Sequence, residues 1–390
     1  MDKQQELTRC SVDKKCGGCR YRNISYEEQL SIKQHQEETL LSPFGRVRSI
    51  IGMERPYYYR NKVQAVFGYD YRRRRTLSGV FQSNSGRMVP VDKCLLDDET
   101  ADAIILTVRR LCDSFKLAPF DKRNGSGFLR HILVRRGFMS GEVMVVLVSA
   151  VPAFPSKRNF VRALLQAHPQ ITTVVHNVNP YETELVLGEH SEVLYGKGVI
   201  EDTLCGMSFR ISPASFYQVN PVQCETLYQT ALLFAALTGE ETVLDAYCGT
   251  GTIGLLAAKQ AKQVIGVELN RDAVRDAMEN AKRNGVKNIY FYGGDAGEYI
   301  ETAVQEGTRF DVVLTDPPRA GASVPFLRAV CRMKPKRVVY ISCNLQTLAR
   351  DLRYLTQRGY KAKAIQPVDM FPYTKHVETA CLLSRSDMNF

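Results

Sequence analysis

Short apolar runs alternate with amphipathic stretches through the C-terminal half of the chain, beginning at residues 242–268. There, an apolar run ending at Asp245 is followed by a glycine-rich turn, a helical stretch and a second apolar run ending at Glu268. This order is typical of the unit with which a doubly wound sheet holds a nucleoside. Later apolar runs lead to Asp295 and Asp316. Because the carboxyl ends of parallel strands meet along one crevice, the pattern predicts an α/β domain with acidic side chains at that crevice.

The N-terminal half has a different pattern. Residues 57–150 contain short segments of period-two alternation separated by Gly, Ser and Asn, which predicts an antiparallel sheet. A helix is expected at residues 26–41. With 390 residues the chain is long for one core, and the changes of pattern predict three segments. They are residues 1–55 with cysteines and a helix, residues 56–211 as an antiparallel β domain, and residues 212–390 as the α/β domain.

Charge and aromatic content favour a nucleic-acid partner. The chain has 52 Lys and Arg against 41 Asp and Glu, a net charge of +11. Cations interleaved with tyrosines suit the phosphates and unstacked bases of RNA, although a charged edge strand is the alternative for Arg72 to Arg75. No apolar signal segment or membrane span is visible, so we expect a cytoplasmic protein. The cations of the antiparallel segments are Arg60, Lys62, Arg72, Arg73, Arg74, Arg75, Arg130, Arg135 and Arg136, beside Tyr57, Tyr58, Tyr59, Tyr69 and Tyr71.

Four cysteines form a candidate metal centre. Cys10, Cys16 and Cys19 follow the pattern C-x5-C-G-G-C, and Cys94 lies far downstream. Two glycines permit a tight turn, and four sulfurs suit either tetrahedral zinc or an iron–sulfur cluster. Three close ligands with a distant fourth favour a [4Fe-4S] cluster, while zinc and free thiols stay open.

The acid before the glycines separates this turn from a dinucleotide-binding turn. A pyrophosphate requires a helix N-terminus without a nearby carboxylate, because the helix dipole there attracts anions. Asp245 at the mouth of the turn suits a cation instead, such as the sulfonium of S-adenosylmethionine, and Glu268 can hydrogen-bond to a ribose. A glycine turn that only packs a helix on a strand is the alternative.

Two reactive side chains stand at strand ends. Cys343 ends the apolar run RVVYISC, and Glu378 begins the last apolar run. A cysteine at a strand end is often a small core residue. A carboxylate that leads an apolar strand is costly unless it faces a polar site, so Glu378 indicates chemistry nearby.

The motifs C-x5-C-G-G-C, FYQVN, DAYCGTG, GVELN, DPPRAG, SCN and HVE, in this order, resemble those of the RNA uracil-5-methyltransferases. These are class I S-adenosylmethionine-dependent methyltransferases that make 5-methyluridine in RNA. The resemblance extends from Cys10 to Leu383. It implies a Rossmann-like, mostly parallel seven-stranded sheet, preceded by an antiparallel β-rich domain with a cysteine cluster.

The resemblance also implies roles for individual residues. Cys343 corresponds to the nucleophile and Glu378 to the base that removes the C5 proton. Phe216 and Asp316 correspond to contacts with the target base. The implied cofactor contacts are Gln218, Tyr247, Glu268, Asp295 and Asp316, and the implied [4Fe-4S] ligands are Cys10, Cys16, Cys19 and Cys94.

The chemistry agrees with these roles, because uracil C5 accepts a methyl group only after a nucleophile such as a thiolate adds to C6. Some members of this family carry an OB-like domain ahead of the cysteines, and Cys10 leaves no room for it here. In this the chain resembles the shorter enzymes that act on 23S rRNA, so we expect 23S rRNA as substrate. We also expect a monomer as the active form. A tRNA substrate is the alternative. Methylation of an amino group or of cytosine C5 fits the motif DPPR less well. A different class, a non-catalytic RNA-binding protein on this fold, would be supported by loss of Cys343 or Glu378, and both are present.

Overall fold

The computed structural model describes residues 10–82, 85–181 and 185–385. None of the helices in these ranges is long and apolar enough to cross a membrane. The helices are α1 (Asp13–Cys16), α2 (Tyr26–Leu41), α3 (Glu99–Ser114), α4 (Lys157–Ala167), α5 (Pro221–Ala235), α6 (Thr252–Ala258), α7 (Arg271–Arg283), α8 (Ala296–Gln305), α9 (Val324–Met333) and α10 (Leu345–Thr356). The strands are β1 (Lys62–Asp70), β2 (Arg75–Phe81), β3 (Met88–Pro90), β4 (Leu129–Arg136), β5 (Val143–Ser149), β6 (Ile171–Val178), β7 (His190–Tyr195), β8 (Ile200–Leu204), β9 (Met207–Ile211), β10 (Thr242–Ala246), β11 (Gln263–Glu268), β12 (Ile289–Gly293), β13 (Val312–Thr315), β14 (Arg337–Ser342), β15 (Tyr360–Val368) and β16 (Glu378–Arg385).

The chain divides into two compact units, each with a seven-stranded sheet. The first unit contains the described parts of residues 1–23 and 56–203, together with residues 210–214. The second contains residues 24–55 and 204–209 and the described residues from 215 onwards. Residues 24–55, which the sequence groups with the cysteine segment, therefore pack with the α/β sheet.

The sheet of the first unit has the order β3-β2-β1-β4-β5-β6-β7. Its strand pairs are antiparallel except for β5 with β6, which are parallel because α4 connects them. Helices α3 and α4 cover one face, where Ile104 and Phe160 pack on Ile132 and Val145. The antiparallel β-rich region expected from the alternating pattern is thus present, with a helix-covered core.

The sheet of the second unit has the order β12-β11-β10-β13-β14-β16-β15. Strands β10 to β14 pair in parallel, and β16 lies antiparallel between β14 and β15. The predicted α/β class with a mostly parallel seven-stranded sheet is confirmed. In such a sheet, the crevice at the carboxyl ends of the parallel strands is the usual place for a ligand.

Strand alternation explains why helices cover both faces of this sheet. On β10, Leu244 and Ala246 point into a core that includes residues of α8, α9 and α10, whereas Asp245 contacts Gly254 of α6. Successive side chains of a strand point to opposite faces, so apolar residues are required on both sides. The sheet is therefore doubly wound, and the carboxyl ends of its parallel strands lie along one edge.

Helix α2 of the second unit buries a polar stripe. Its buried residues are Gln29, Lys33, Glu37 and Leu41, which recur every four positions along one helix face. Ser25 caps the helix by accepting a hydrogen bond from the backbone N–H three residues later. Only the last residue of the stripe is apolar, so the helix is held to its unit chiefly by polar contacts.

Candidate active site

Asp245 of β10 supports the glycine-rich turn that follows this strand. Its Oδ2 accepts a hydrogen bond from the N–H of Gly254 at 2.9 Å, and the side chain is 2% exposed. Burial raises the pKa of Asp245 to about 8. The interpretation that Asp245 stands at the mouth of the turn is therefore wrong, because the strand directs it under α6, where it supports the helix.

Glu268 joins the first two strand ends. Its Oε2 accepts from the N–H of Gly249 at 3.1 Å, and its Oε1 accepts from the N–H of Asn270 at 2.8 Å. The carboxylate is half-buried at the end of β11. A carboxylate fixed between the glycine turn and the second strand is suitably placed to accept hydrogen bonds from a ribose.

Tyr247 and Asp295 follow the carboxyl ends of β10 and β12. Tyr247 has φ of 62°, and its ring packs edge-on against Phe326 with centroids 5.4 Å apart. A positive φ in a bulky residue is uncommon and marks an over-determined turn. Asp295 caps α8, since its Oδ1 accepts from the N–H groups of Gly297 and Glu298 at 2.8 and 3.0 Å.

Phe216 and Gln218 precede α5, which is capped by Asn220. Phe216 is 64% exposed, so its ring is available to a partner. Gln218 hydrogen-bonds to the buried Tyr228, whose pKa burial raises well above its usual value. The nearby Asp316 carboxyl also raises the pKa of Tyr228, which places this pair beside the end of β13.

Cys343 and Glu378 meet at the junction of β14 and β16. The antiparallel register pairs Ser342 with Thr379 as the last partners of these strands. Cys343 directly follows Ser342, and Glu378 directly precedes Thr379, so both stand at the same end of this strand pair. The Glu378 carboxyl raises the pKa of the Cys343 thiol, so the two groups lie within electrostatic range. The fold thus brings together a thiol and a carboxyl that are separated by 34 residues of chain.

Burial and neighbouring charges set the pKa of the Cys343 thiol. Burial is the largest cause and, together with the carboxyls of Glu378 and Asp316, raises this pKa to about 11, while Arg319 lowers it. A thiolate is the nucleophilic form of cysteine. Arg319 therefore acts in the direction that favours a reactive Cys343.

Glu378 is buried and next to other acids. It is 5% exposed, and burial raises its pKa well above the usual value, with smaller contributions from Asp316 and Glu37. Burial likewise raises the pKa of Asp316 to about 7. A carboxyl with a raised pKa accepts a proton readily at neutral pH, which is the property of a general base.

Arg319 was not predicted as a site residue. Its position after Asp-Pro-Pro served only to argue against methylation of an amino group or of cytosine. It lowers the pKa of both Cys343 and Glu378. Its backbone carbonyl accepts from Asn344 Nδ2 at 3.0 Å, and Asn344 also caps α10 by accepting from the N–H of Gln346. The signal for it was an arginine directly after the Asp-Pro-Pro turn of the fourth parallel strand.

The cysteines of the C-G-G-C motif gather in the first unit. Helix α1 ends at Cys16, and Gly17 follows with φ of 71°, a conformation that glycine adopts without strain. A Cβ added to Gly18 would lie 3.3 Å from the Cys16 Sγ. This turn brings Cys19 into electrostatic range of Cys10 and Cys16, and both raise its pKa.

Cys94 belongs to the same unit and shares charged neighbours with Cys19. Arg60 lowers the pKa of both thiols and Asp97 raises it. Burial is the largest cause and raises the pKa of Cys19 to about 11 and that of Cys94 to about 12. The backbone N–H groups of Leu96 and Asp97 point toward the Cys94 sulfur and favour its thiolate.

These thiols do not form a compact single-ion site. Across residues 10–82, 85–181 and 185–385, no three His, Cys, Asp or Glu side chains converge closely enough to hold a metal ion. A zinc ion with Zn–S bonds of about 2.3 Å needs its sulfurs roughly 3.8 Å apart. The set is instead one of neighbouring, partly exposed free thiols, at Cys10, Cys16, Cys19 and Cys94.

Several cations predicted to face RNA are buried. Arg130 and Arg135 are 4% and 3% exposed, and Arg130 donates to two backbone carbonyls at 2.7 and 2.9 Å. Arg60 and Arg136 each pair with a neighbouring carboxylate, at 3.7 and 2.8 Å. Tyr59 is also buried. For Arg130, Arg135 and Tyr59 the interpretation as an RNA surface is wrong, because they are buried inside the first unit, whereas Arg60 and Arg136 are half-exposed.

Comparison with known proteins identifies the family. Residues 197–386 match the model of the family described as tRNA (uracil-5-)-methyltransferase. A protein of Halalkalibacterium halodurans named as an RNA methyltransferase is 43% identical, over 96% of this chain and 82% of that protein. One of Listeria monocytogenes is 42% identical, over 96% of this chain and 83% of its own length. The chain belongs to the RNA uracil-5-methyltransferase family. It is therefore a methyltransferase.

A solved structure agrees with this membership. The tRNA (uracil-54, C5)-methyltransferase of Pyrococcus abyssi, in complex with S-adenosyl-L-homocysteine, has a TM-score of 0.79 and 27% identity. The similarity covers 94% of this chain and 86% of that one. It therefore includes the β-rich region as well as the doubly wound sheet of this RNA uracil-5-methyltransferase.

Proposed function

We propose that this protein transfers a methyl group from S-adenosylmethionine to C5 of a uridine in RNA, with Cys343 as nucleophile and Glu378 as base. The observation that carries the proposal is the closeness of Cys343 and Glu378, which adjoin the last paired residues of β14 and β16 and interact electrostatically. Methylation at C5 requires addition at C6 and proton removal at C5, two adjacent ring atoms. A thiol and a carboxyl on neighbouring strands match that requirement.

The chain's own residues perform the two steps at the base. The Cys343 thiolate forms a bond from sulfur to C6, and the electron pair of the C5–C6 double bond moves to C5 and O4 as an enolate. S-adenosylmethionine, when bound, supplies the methyl group that C5 takes up. Glu378 then removes the C5 proton, the double bond re-forms, and the C6–S bond breaks to release the Cys343 thiolate.

Arg319 and Asp316 set the charge states for these steps. Arg319 lowers the pKa of Cys343 and of Glu378, so it favours the thiolate and the carboxylate that the reaction needs. Asp316 raises the pKa of both groups and strengthens the affinity of Glu378 for the C5 proton. The site thus balances nucleophile activation against proton capture. Phe216, exposed at the lead-in to α5, offers a ring against which a flipped base can stack.

The crevice of the second unit fits the cofactor. We assign Gln218, Tyr247 and Glu268 to the cofactor, together with Asp295 and Asp316. Glu268 is already held between the glycine turn and β11, so its carboxylate needs no rearrangement to accept from ribose hydroxyls. The solved tRNA methyltransferase that resembles this chain is bound to S-adenosyl-L-homocysteine, which supports a ligand of this class.

Trapping the covalent adduct tests the mechanism. RNA that contains 5-fluorouridine loses no proton at C5, so the Cys343–C6 bond should persist after methylation and survive a denaturing gel. We expect a slow-migrating protein–RNA band with wild type and S-adenosylmethionine, and none with Cys343→Ala. Cys331→Ala, which changes a half-buried cysteine of α9 in the same unit, is the matched control and should retain the band. RNA binding without a band in wild type would refute the covalent mechanism.

We propose 23S rRNA as the substrate and tRNA as the second candidate. The cysteine set favours rRNA through the resemblance of its motif to the iron–sulfur enzymes that act on 23S rRNA. The similarity to the P. abyssi enzyme, which acts on uracil 54 of tRNA, favours tRNA. Total 23S rRNA and total tRNA from a strain lacking the gene, each incubated with the protein and cofactor, should be digested and analysed by mass spectrometry. New 5-methyluridine in the tRNA alone would reject the rRNA assignment.

We also propose that Cys10, Cys16, Cys19 and Cys94 hold a [4Fe-4S] cluster that organises the first unit. A four-iron cube is wider than one ion and accepts sulfurs that lie further apart. Arg60 and the N–H groups beside Cys94 supply the positive field that thiolate ligands need.

Metal analysis after anaerobic purification tests this assignment. About four irons and four sulfides per chain are expected, and about one zinc with no sulfide would favour zinc instead. Cys19→Ser should reduce the bound iron and weaken folding or RNA binding, while Cys112→Ser, at a buried cysteine of the same unit, should keep the iron. A Cys19→Ser protein that lost turnover alone, with fold and RNA affinity intact, would contradict a structural role.

A further inference from the structure

One exposed aromatic and basic surface stands out in the first unit. Tyr69 and Tyr71, at the end of β1, are 40% and 60% exposed. The turn that follows carries Arg72 to Arg75, all exposed, and the loop before β4 adds exposed Lys122 and Arg123. We define the Tyr71 surface as Tyr69, Tyr71, Arg72, Arg73, Arg74, Arg75, Lys122 and Arg123.

The rings of this surface are ordered before any partner binds. Tyr69 and Tyr71 meet edge to face with centroids 5.2 Å apart. The Tyr71 hydroxyl donates to Asp121 Oδ2 at 2.9 Å, and the Arg123 guanidinium lies 5.5 Å from the Tyr71 ring centroid. The neighbouring Lys122 lies 5.6 Å from the ring of Phe81, which is 43% exposed. Fixed rings beside cations lose little conformational entropy when a base stacks on them.

The surface retains a positive charge after its local ion pairs are formed. Asp70 and Asp121 lie among its six cations. Asp70 accepts from the backbone N–H groups of Arg72 and Arg73 and so shapes the turn, and Asp121 pairs with Arg123. The guanidinium groups of the turn therefore remain available for phosphates.

A charged edge strand that only prevents aggregation does not explain this surface. An edge strand needs charge but no exposed aromatic rings. Strand β1 lies between β2 and β4 and is not at an edge of its sheet. Arg130 and Arg135 are buried and Arg60 is half-exposed and paired with Asp97, whereas the cations and tyrosines of the Tyr71 surface are exposed together.

We propose that the Tyr71 surface binds an unpaired segment of the RNA substrate, stacking bases on Tyr71 and contacting phosphates through Arg72 to Arg75. Exposed bases and phosphates of single-stranded RNA match rings and cations in this arrangement. The identity of the ligand as RNA rests on the proposed function. The surface adds affinity for RNA outside the reacting uridine.

Binding without cofactor separates this inference from the methyl-transfer reaction. Fluorescence anisotropy with a labelled 23S rRNA fragment and with tRNA should be measured for wild type, Tyr71→Ala and Tyr71→Phe. We expect Tyr71→Ala to weaken binding about 5- to 100-fold and Tyr71→Phe, which keeps the ring, to stay within about threefold of wild type. The control is Tyr195→Ala, since Tyr195 is 45% exposed on β7 at an edge of the same sheet.

Salt dependence tests the cations independently. Arg72→Gln with Arg73→Gln should reduce the slope of log Kd against log salt by roughly 1.4, two phosphate contacts on a single strand. The control is Arg158→Gln with Arg162→Gln, two exposed arginines of α4, which should leave the slope unchanged. Thermal unfolding shows that each variant is folded.

The outcomes distinguish a failure of the proposed function from a failure of the inference on the Tyr71 surface. Wild type that binds neither RNA would overturn the proposed function and this inference together. Wild type that binds RNA, with Tyr71→Ala and the Arg72 and Arg73 variant equal to it, would overturn only the inference. Equal losses in Tyr71→Ala and Tyr195→Ala would also reject it, because binding would then not be localised to the Tyr71 surface.

Discussion

Thr379 donates a hydrogen bond from Oγ1 to Oε2 of Glu37 across 2.9 Å, which joins helix α2 to the residue that follows Glu378. Both side chains are buried, Glu37 at 1% and Thr379 at 2% exposure. Adjacent side chains of a strand point to opposite faces, so Glu37 supports β16 from the face away from Glu378. A helix near the start of the chain thereby helps to fix the strand that carries the base.

Glu37→Gln should make the stability of the protein less dependent on pH. Burial raises the pKa of Glu37 to about 7 from a usual value of 4.5, so the folded state binds its proton more tightly than the unfolded state. That contribution is fully present below pH 4.5 and is lost as the pH rises to about 7. Glutamine stays neutral, so the free energy of unfolding of the variant relative to wild type should rise across this window, by at most about 3 kcal/mol.

Urea unfolding at pH 5 and pH 8 measures this gain. Glu38→Gln is the matched control, because Glu38 is the next residue of α2 and is exposed. It should shift stability by less than about 0.5 kcal/mol at either pH. A constant difference between Glu37→Gln and wild type at both pH values would show that Glu37 is ionised in the folded protein throughout.

Lys33→Met should destabilise the protein strongly. Lys33 Nζ lies 2.6 Å from Asp369 Oδ1, and both side chains are completely buried. Removal of the lysine leaves a carboxylate without a counter-ion, which costs about 3–5 kcal/mol. The remaining donor to Asp369 is the Tyr26 hydroxyl at 2.8 Å. Denaturant unfolding of the single variant measures the loss.

The double variant Lys33→Met with Asp369→Leu supplies the control. It removes both charges, so it should recover much of the stability lost by Lys33→Met. Additive losses in the two single variants would mean that the two charges do not interact in the folded protein.

The polar stripe of α2 shows what the sequence could and could not predict. The helix itself was predictable from its composition, and the structure places it at Tyr26–Leu41 as expected. Its packing was not, because sequence patterns find buried faces through apolar spacing, and here Gln29, Lys33 and Glu37 occupy the buried face. Their partners lie more than 330 residues away along the chain, where no local signal connects them.

Arg319→Gln should make Cys343 a weaker nucleophile in the free protein. Arg319 lowers the pKa of the Cys343 thiol, which burial raises to about 11. Loss of the guanidinium therefore raises that pKa and reduces the thiolate fraction at any pH below it. We expect alkylation of Cys343 by iodoacetamide at pH 9 to slow by roughly two- to tenfold, measured by mass spectrometry of its peptide.

Arg319→Lys is the control for this effect, since lysine keeps the charge but not the planar fork. It should keep most of the alkylation rate. Cys205, a half-buried cysteine of the second unit, reports general accessibility in the same digests. Equal slowing at Cys343 and Cys205 would indicate a change of structure instead of an electrostatic effect.

The places of Cys343 and Glu378 at the rim of the sheet were predictable from the sequence, while that of Asp245 was not. Cys343 and Glu378 each stand at the end of an apolar run, which predicts a place at the rim of the sheet. Asp245 also stands in such a run, but the pattern could not tell which face of β10 it uses, and the structure buries it under α6. A shift of one residue along a strand moves a side chain to the opposite face, and this decides whether the side chain contacts a ligand or supports the fold.

Glu378→Gln should stop the reaction after methyl transfer. Without a base, the C5 proton stays in place, and the C6–S bond cannot break by elimination. We therefore expect a covalent complex of the variant with ordinary uridine-containing RNA, visible on a denaturing gel, and turnover lowered about 10²- to 10⁴-fold. Radiolabel from the methyl group should appear in the complex.

Glu378→Asp separates the chemical role from the structural one. It keeps a carboxyl but withdraws it by one methylene, so turnover should be slow while less complex accumulates than with Glu378→Gln. Thr379→Val removes the donor to Glu37 on the other face of β16 and tests whether a displaced strand alone gives the same complex. A Glu378→Gln protein that binds RNA and cofactor yet forms no labelled complex would show that Glu378 acts before methyl transfer. The assignment of the C5 base would then pass to another carboxyl, such as Asp316, which also raises the pKa of Cys343.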